Sequence, residues 1–256
     1  MTNDKKGGVM LVMLASVSGA PGVSAAAVGL AALWPGGPGV VVEADPCGGV
    51  LAARFGVAQE PGLAGLAAAS RHGLPAGGPA RFAQPLPLGV HAVVGPGAAD
   101  TCAQAVSVLS ARPDVVAGLA PVVILDAGRL YPGSPAWGLV PRVSVLVVVT
   151  AGDTEHLDHV DTRLPAVRAQ MRSLHLGVAV CGRSAYGPRE VSGRLGAPVW
   201  AHLPADRWGA AVLTGRLAGP AWTRTRLAQA LRGLAAALAA PPRQPGAAGA
   251  ALEVAR

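Results

Sequence analysis

Residues 9–35 read VMLVMLASVSGAPGVSAAAVGLAALWP, and this stretch decides the fold. Val9 to Val17 is an apolar run rich in branched residues, the content of a strand buried on both faces. Gly19, Pro21 and Gly22 break the run within Ser18 to Ser24, and the small residues from Ala25 to Trp34 then read as a helix. Val40 to Asp45 is the second strand. The short stretch between the two strands allows one right-handed crossover, so they run parallel in a β-loop-α-β unit. A loop in that position is where free backbone N–H groups and a helix dipole both face an anion.

The surrounding composition agrees with a folded α/β chain. Of 256 residues, 51% are hydrophobic and 14% charged, which excludes disorder of the whole chain. One α/β domain is expected over residues 1–240, followed by a Pro/Gly/Ala-rich flexible tail over 241–256. The net charge of +7 raises nucleic acid as a partner. The only lysines are Lys5 and Lys6, the arginines are scattered singly, and two Phe with two Tyr are too few for a base-stacking platform. DNA is therefore disfavoured. Cys47, Cys102 and Cys181 lie far apart, which suggests neither a disulfide framework nor a zinc site and fits a cytoplasmic setting. Lys5 and Lys6 ahead of an apolar run also outline a signal peptide. The run ends well short of the roughly 18 to 20 residues of a spanning helix, and the strand reading takes precedence.

Farther along, strands are expected at 92–94, 122–126, 143–150, 178–181 and 199–202. Helices are expected at 101–111, 154–174, 188–195 and 222–239. The Gly/Pro-rich segment 71–99 reads as a surface excursion. In the last helix Leu227, Leu231, Leu234 and Leu238 share one face, as in a helix packed on a core. Arg224, Arg226 and Arg232 beside them give a second reading, contact with an anionic membrane surface.

Set against G-x-x-x-x-G-K-[ST] from Gly19, the loop Gly19, Ala20, Pro21, Gly22, Val23, Ser24, Ala25, Ala26 puts Ser24 at the second glycine. Ala25 then falls at the lysine and Ala26 at the metal-binding hydroxyl. No lysine follows Lys6 and no arginine precedes Arg54, so the sequence offers no nearby cation for the phosphates. Phosphoryl transfer depends on that lysine and the metal, so efficient hydrolysis is not expected. Backbone donors from Gly22 to Ala26 and the helix dipole leave nucleotide binding open. In DTEHLDHVD, His156 and His159 with Asp158 lie at helical spacing, and their charged surroundings read as a solvent-facing helix face rather than a metal site.

Taken together, SVSGAPGVSAAAVGLAALWP, VVVEADPCGG, VVILDAG, VSVLVVVT and GAPVWAHLPAD resemble the MinD/ParA class of deviant-Walker P-loop ATPases over about residues 9–235. Within the class the chain is most similar to the TadZ/CpaE branch of Tad (Flp) pilus assembly proteins. The resemblance implies a three-layer, Rossmann-like P-loop NTPase fold, a mostly parallel sheet flanked by helices, and ATP with magnesium as the class's ligands. It makes Asp126 the Walker B-like aspartate and Asp45, with Glu43 beside it, the acidic residue that positions the attacking water or helps organise magnesium. Residues 46–56 become the nucleotide-sensing switch, with Val50, Leu51 and Phe55 offering apolar surface to a sister subunit. Cys181, Pro204 and Asp206 fall where the base is flanked, and Cys181 stands where the class has its base-reading asparagine. The implied function is a localisation or assembly factor for a Tad-type pilus or secretion system. Such a factor would be non-catalytic or weakly catalytic and homodimeric, cytoplasmic or peripheral at the inner membrane face, and in contact with the system's ATPase or assembly proteins. The alternative is an active ATP-dependent positioning switch on membrane or DNA.

Overall fold

A computed structural model describes residues 9–19, 21–170 and 175–240. Ala20 and the expected tail 241–256 therefore lie outside the described residues. Eight strands of the described residues form one sheet: β1 (Met10–Ser16), β2 (Val40–Glu43), β3 (Gln84–Pro85), β4 (His91–Val93), β5 (Val122–Arg129), β6 (Val145–Gly152), β7 (His175–Ser184) and β8 (Val199–Leu203). Their order is β3-β4-β2-β5-β1-β6-β7-β8. Neighbouring strands are parallel except for the β3–β4 pair at one edge. The helices are α1 (Val23–Ala32), α2 (Leu51–Phe55), α3 (Leu63–His72), α4 (Ala99–Ser110), α5 (Pro113–Ala117), α6 (Thr154–Ala169), α7 (Pro188–Leu195), α8 (Arg207–Leu213) and α9 (Arg226–Ala239).

The apolar runs of the central strands follow from burial on both faces. Side chains alternate along a strand, so Leu11, Met13 and Ala15 of β1 enter one layer with Leu66 of α3, Leu109 of α4, Val160 of α6 and Val191 of α7. Val12 and Leu14 enter the other with Leu30 of α1, Leu51 of α2, Leu213 of α8 and Leu231 of α9. The result is the expected three-layer arrangement. The crossover from β1 leads to β2 on one side, and the chain later passes from β5 to β6 on the other side of β1. This reversal beside β1 is the point where open α/β sheets bind ligands, outside the carboxyl ends of the strands.

Several boundaries differ from the sequence reading, and three of the differences bear on the fold. The first helix starts at Val23, two residues early, because Gly22 takes the left-handed conformation that admits the chain into a helix. The segment 71–99 is more than a surface excursion: β4 joins the sheet beside β2, and Val90, Ala92, Val93 and Val94 are buried. The final helix divides into a tight turn at Pro220–Arg224 and α9, whose N-terminus is capped by Thr225 Oγ accepting from Ala228 N at 3.1 Å. Among the described residues, no helix is long and apolar enough to cross a membrane.

Candidate functional site

The loop after β1 is fastened before it turns. Ser16 Oγ lies 3.2 Å from the Gly19 carbonyl and 3.3 Å from the Gly128 carbonyl, which ties the loop to the end of β5. Gly22, at φ +94°, is the residue preceding α1; no side chain caps that helix and no acidic residue sits in its first turn. The orphan N–H groups of the first turn are thus open to an anion.

This geometry corrects the register of the loop. The glycine that opens the helix is Gly22, so the following Val23 takes the place of the lysine and Ser24 that of the metal-binding hydroxyl. The reading anchored on Gly19 assigned these roles two residues too late, to Ala25 and Ala26, because spacing alone does not mark which glycine carries the positive φ beside the helix. Val23 is only 5% exposed and packs in the α1 layer of the core.

Three carboxyl groups gather at the ends of β2 and β5. Glu43 and Asp126 are register partners across these strands and so share a face. Asp126 is fully buried, and its Oδ1 accepts from Gly128 N at 3.1 Å. Burial pushes its carboxyl up to about 7, with the charges of Glu43 and Asp45 adding to the shift and the nearby Ser24 hydroxyl and Gly128 N–H opposing it. Ser24 lies beside the carboxyl without hydrogen-bond geometry, so Asp126 Oδ2 has no partner among the described residues. Glu43 accepts from Val50 N, from Leu51 N at 2.9 Å and from Gly95 N at 2.9 Å. Burial raises its carboxyl, and those N–H groups pull the other way. Asp45 accepts from Cys47 N at 2.9 Å and lies against Gly128, where a Cβ would have no room. Its carboxyl is raised by burial.

Solved structures with the same architecture match nearly the whole chain. A ParA family ATPase from Chlorobium tepidum superposes with a TM-score of 0.71 at 17% identity, covering 89% of this chain and 98% of that one. The cell division ATPase MinD from Pyrococcus furiosus gives 0.68 at 18% identity, covering 89% and 97%. Cobyrinic acid a,c-diamide synthase from Mycobacterium smegmatis, solved with a bound ATP analogue and magnesium, gives 0.64 at 18% identity over 90% and 94%. The chain has the MinD/ParA fold. No protein-family model and no curated protein sequence matches it.

Within the MinD/ParA fold, the residues present fit a magnesium ion only in part. Ser24 and the unpartnered Asp126 Oδ2 are oxygen donors of the right kind, and magnesium is commonly held by one or two carboxylates together with substrate phosphates. Among the described residues no group of three or more His, Cys, Asp or Glu is arranged to hold a metal unaided. Ser24 and Asp126 are the residues that would hold such an ion, and it would supply charge neutralisation for an anionic ligand.

Sequence reasoning missed the placement of His156. Asp153 caps α6 by accepting from His156 N at 2.9 Å, and its carboxylate also lies 2.7 and 2.9 Å from His156 Nδ1. These contacts hold the Asp153 carboxyl below the usual carboxylate range. The opposite ring nitrogen faces the loop after β1: a Cβ built on Gly19 would stand 3.0 Å from His156 Nε2. The solvent-facing reading holds for its neighbours, since His159 and Asp158 are exposed and Asp158 meets Arg194 at 2.8 Å. His156 is half-buried instead, because β6 lies beside β1, which brings the first turn of α6 over the loop. The Asp-x-x-His spacing at the start of α6 was the available signal.

Leu51 is also corrected. It is fully buried, and Phe55 is half-buried against the same core layer, so Val50, 36% exposed, is the large apolar residue of the 46–56 segment that faces outward. Cys181 lies in β7, and burial pushes its thiol up to about 12. Pro204 links β8 to α8. Asp206 uses both oxygens on helix starts, Oδ1 accepting from Gly209 N at 2.9 Å and Oδ2 from Leu227 N at 3.3 Å. The Gly209 N–H, first among these, holds its carboxyl below the usual range. The apolar stripe of α9 is used inside the molecule: Leu231, Leu234 and Leu238 are buried, and Leu231 sits so close to Gly29 that a Cβ there would stand 2.5 Å from Leu231 Cδ1. Membrane contact through that stripe would require α9 to leave the core.

Proposed function

We propose that the chain is a MinD/ParA-like localisation or assembly factor that binds nucleotide with little or no turnover and acts through protein contacts, including self-association, in a Tad-type pilus or secretion system. The observation that carries this reading is the first turn of α1: an uncapped helix N-terminus at the sheet's reversal point, Ser24 and Asp126 retained, and a buried Val23 in the lysine position. Binding through backbone donors survives the loss of the lysine, whereas the charge neutralisation that accelerates phosphoryl transfer does not. The exposed Val50 supplies apolar surface for self-association at the edge of the site.

Calorimetry with ATP and ADP, with and without magnesium, tests the reading when paired with a phosphate-release assay and sedimentation. Saturable binding that weakens in Asp126→Ala, with no turnover above background and a dimer at high concentration, is expected. Sustained ATP hydrolysis would move the chain to the alternative, an active positioning switch. A strict monomer would remove the self-association part.

A further inference from the structure

We propose that the cleft between the end of α2 and the segment 215–220 binds a small organic anion, a carboxylate carried on an aliphatic or aromatic body. The cleft has a volume of about 630 Å³, within the roughly 300–1,000 Å³ of small-molecule sites. None of its walls belongs to the loop after β1, to β2 or to β5, so the inference stands apart from nucleotide binding. The body of the cleft is apolar: Phe55 of α2, Leu88 ahead of β4 and the buried Trp222 line it. Leu217, also a wall, is 48% exposed, which leaves the cleft reachable from solvent. Its fixed charge is of one sign. Arg54 and Arg216 line it, and among the described residues no Asp or Glu does.

Neither arginine forms an ion pair among the described residues. Arg54 is half-buried, and its Nη1 is enclosed without a hydrogen-bond partner among those residues. Glu43 feels the Arg54 charge, yet its oxygens are taken by the N–H groups of Val50, Leu51 and Gly95. A guanidinium is always charged and its charge is delocalised, so an anion meeting the group from the cleft offsets the cost of enclosing one nitrogen. A planar carboxylate matches the guanidinium fork, and the apolar walls call for a body rather than a bare ion. Two backbone features show that the cleft is held in shape. Gly215, at φ +73°, sits so close to the end of α2 that a Cβ there would overlap the Arg54 carbonyl, which fixes one wall against the other. Leu88 is the one non-glycine among the described residues with a positive φ, +77°. A bulky side chain is rarely held in that conformation, and such strain gathers where ligands are clamped.

The test is calorimetry on the full chain with 3-phenylpropionate and octanoate. Two controls divide the ligand: 3-phenylpropanol keeps the body without the charge, and acetate keeps the charge without the body. Expected is saturable, submillimolar binding of at least one of the two larger carboxylates, with 3-phenylpropanol weaker by roughly fivefold or more and acetate not bound. Arg54→Gln and Arg216→Gln should each weaken the carboxylate by roughly fivefold and leave 3-phenylpropanol unchanged. Ala218→Glu, at an exposed position of the wall, gives the arginines a carboxylate from the chain itself and should abolish binding. Urea unfolding checks that each variant is folded; Arg216→Gln and Ala218→Glu, both at exposed positions, carry the test if Arg54→Gln is not. Equal affinity for the acid and the alcohol would overturn the inference, because the arginines would then recognise nothing. Carboxylate binding unchanged in the folded variants would overturn it by placing the ligand elsewhere, and so would absence of binding by either larger carboxylate at millimolar concentration. The nucleotide reading is untouched by each of these outcomes.

Discussion

At the residue scale the site is governed by one carboxyl group in the wrong solvent. Asp126 follows the apolar run Val122–Leu125 within β5, is fully buried, and has one oxygen hydrogen-bonded to Gly128 N and the other without a partner among the described residues. Its carboxyl is raised to about 7 in the folded chain, above the ordinary value of 3.8 that applies when it is unfolded. The folded state therefore binds the proton more tightly, and stability falls as pH rises from about 4 towards 7, then levels off. At most about 4 kcal/mol is involved, from a shift of roughly three units at 1.36 kcal/mol each. Asp126→Asn keeps the Oδ1 acceptor and cannot ionise, so denaturant melts between pH 4 and 8 should show the variant gaining on the natural protein as pH rises. Parallel pH profiles would assign the carboxyl an ordinary titration. The sequence alone marks Asp126 as a candidate, since an ionisable group closing VVILD is expensive unless something uses it.

At the scale of elements, α2 depends on a residue outside itself. Five residues cannot form a helix in water on propensity. Glu43, at the end of β2, accepts from the N–H groups of Val50 and Leu51 at the start of α2 and from Gly95 after β4. It therefore fastens the segment 46–56, which the sequence could name as a switch but could not attach to anything. Glu43→Ala removes the acceptor of three backbone donors and should cost about 2–4 kcal/mol, given roughly 1–3 kcal/mol for each buried group left without a partner and partial recovery by water. Amide hydrogen exchange should speed up at residues 47–56 by more than in β1, because the loss is local. Uniform acceleration across both segments would instead mark Glu43 as a general core residue. The acidic pair of EADP thus divides its work: Glu43 holds the chain, and Asp45, half-buried against Gly128, remains on the side of the site.

At the scale of the whole molecule, the helix that carried a membrane reading turns out to close the sheet. The leucines of α9 pack against α1 and β8, and Leu231 is fully buried against Gly29. Leu231→Ala should destabilise the chain by about 2–5 kcal/mol, the range for emptying a buried leucine site, measured by urea unfolding. Sedimentation with anionic vesicles should be the same for both proteins. A drop in vesicle binding at equal folded fraction would show that α9 leaves the core at a membrane. Arg226 and Arg232 lie on the exposed side of this helix, where Arg232 donates to the Thr223 carbonyl at 3.2 Å.

The sequence by itself determined the sheet and its direction, because buried parallel strands must be continuous apolar runs and a loop rich in glycine must separate the first of them from a helix. It also determined that no cation follows the loop locally, and it singled out Asp45 and Asp126, although β2 ends at Glu43 and β5 runs on past Asp126 to Arg129. Local pattern stops there. The choice of Gly22 over Gly19 as the helix-opening residue, the attachment of Glu43 to α2, the burial of Leu51 and the arrival of His156 over Gly19 were decided by the tertiary structure. Each depends on which strands are neighbours in the sheet, and strand order arises from contacts between residues far apart in the chain, which no spacing along it records.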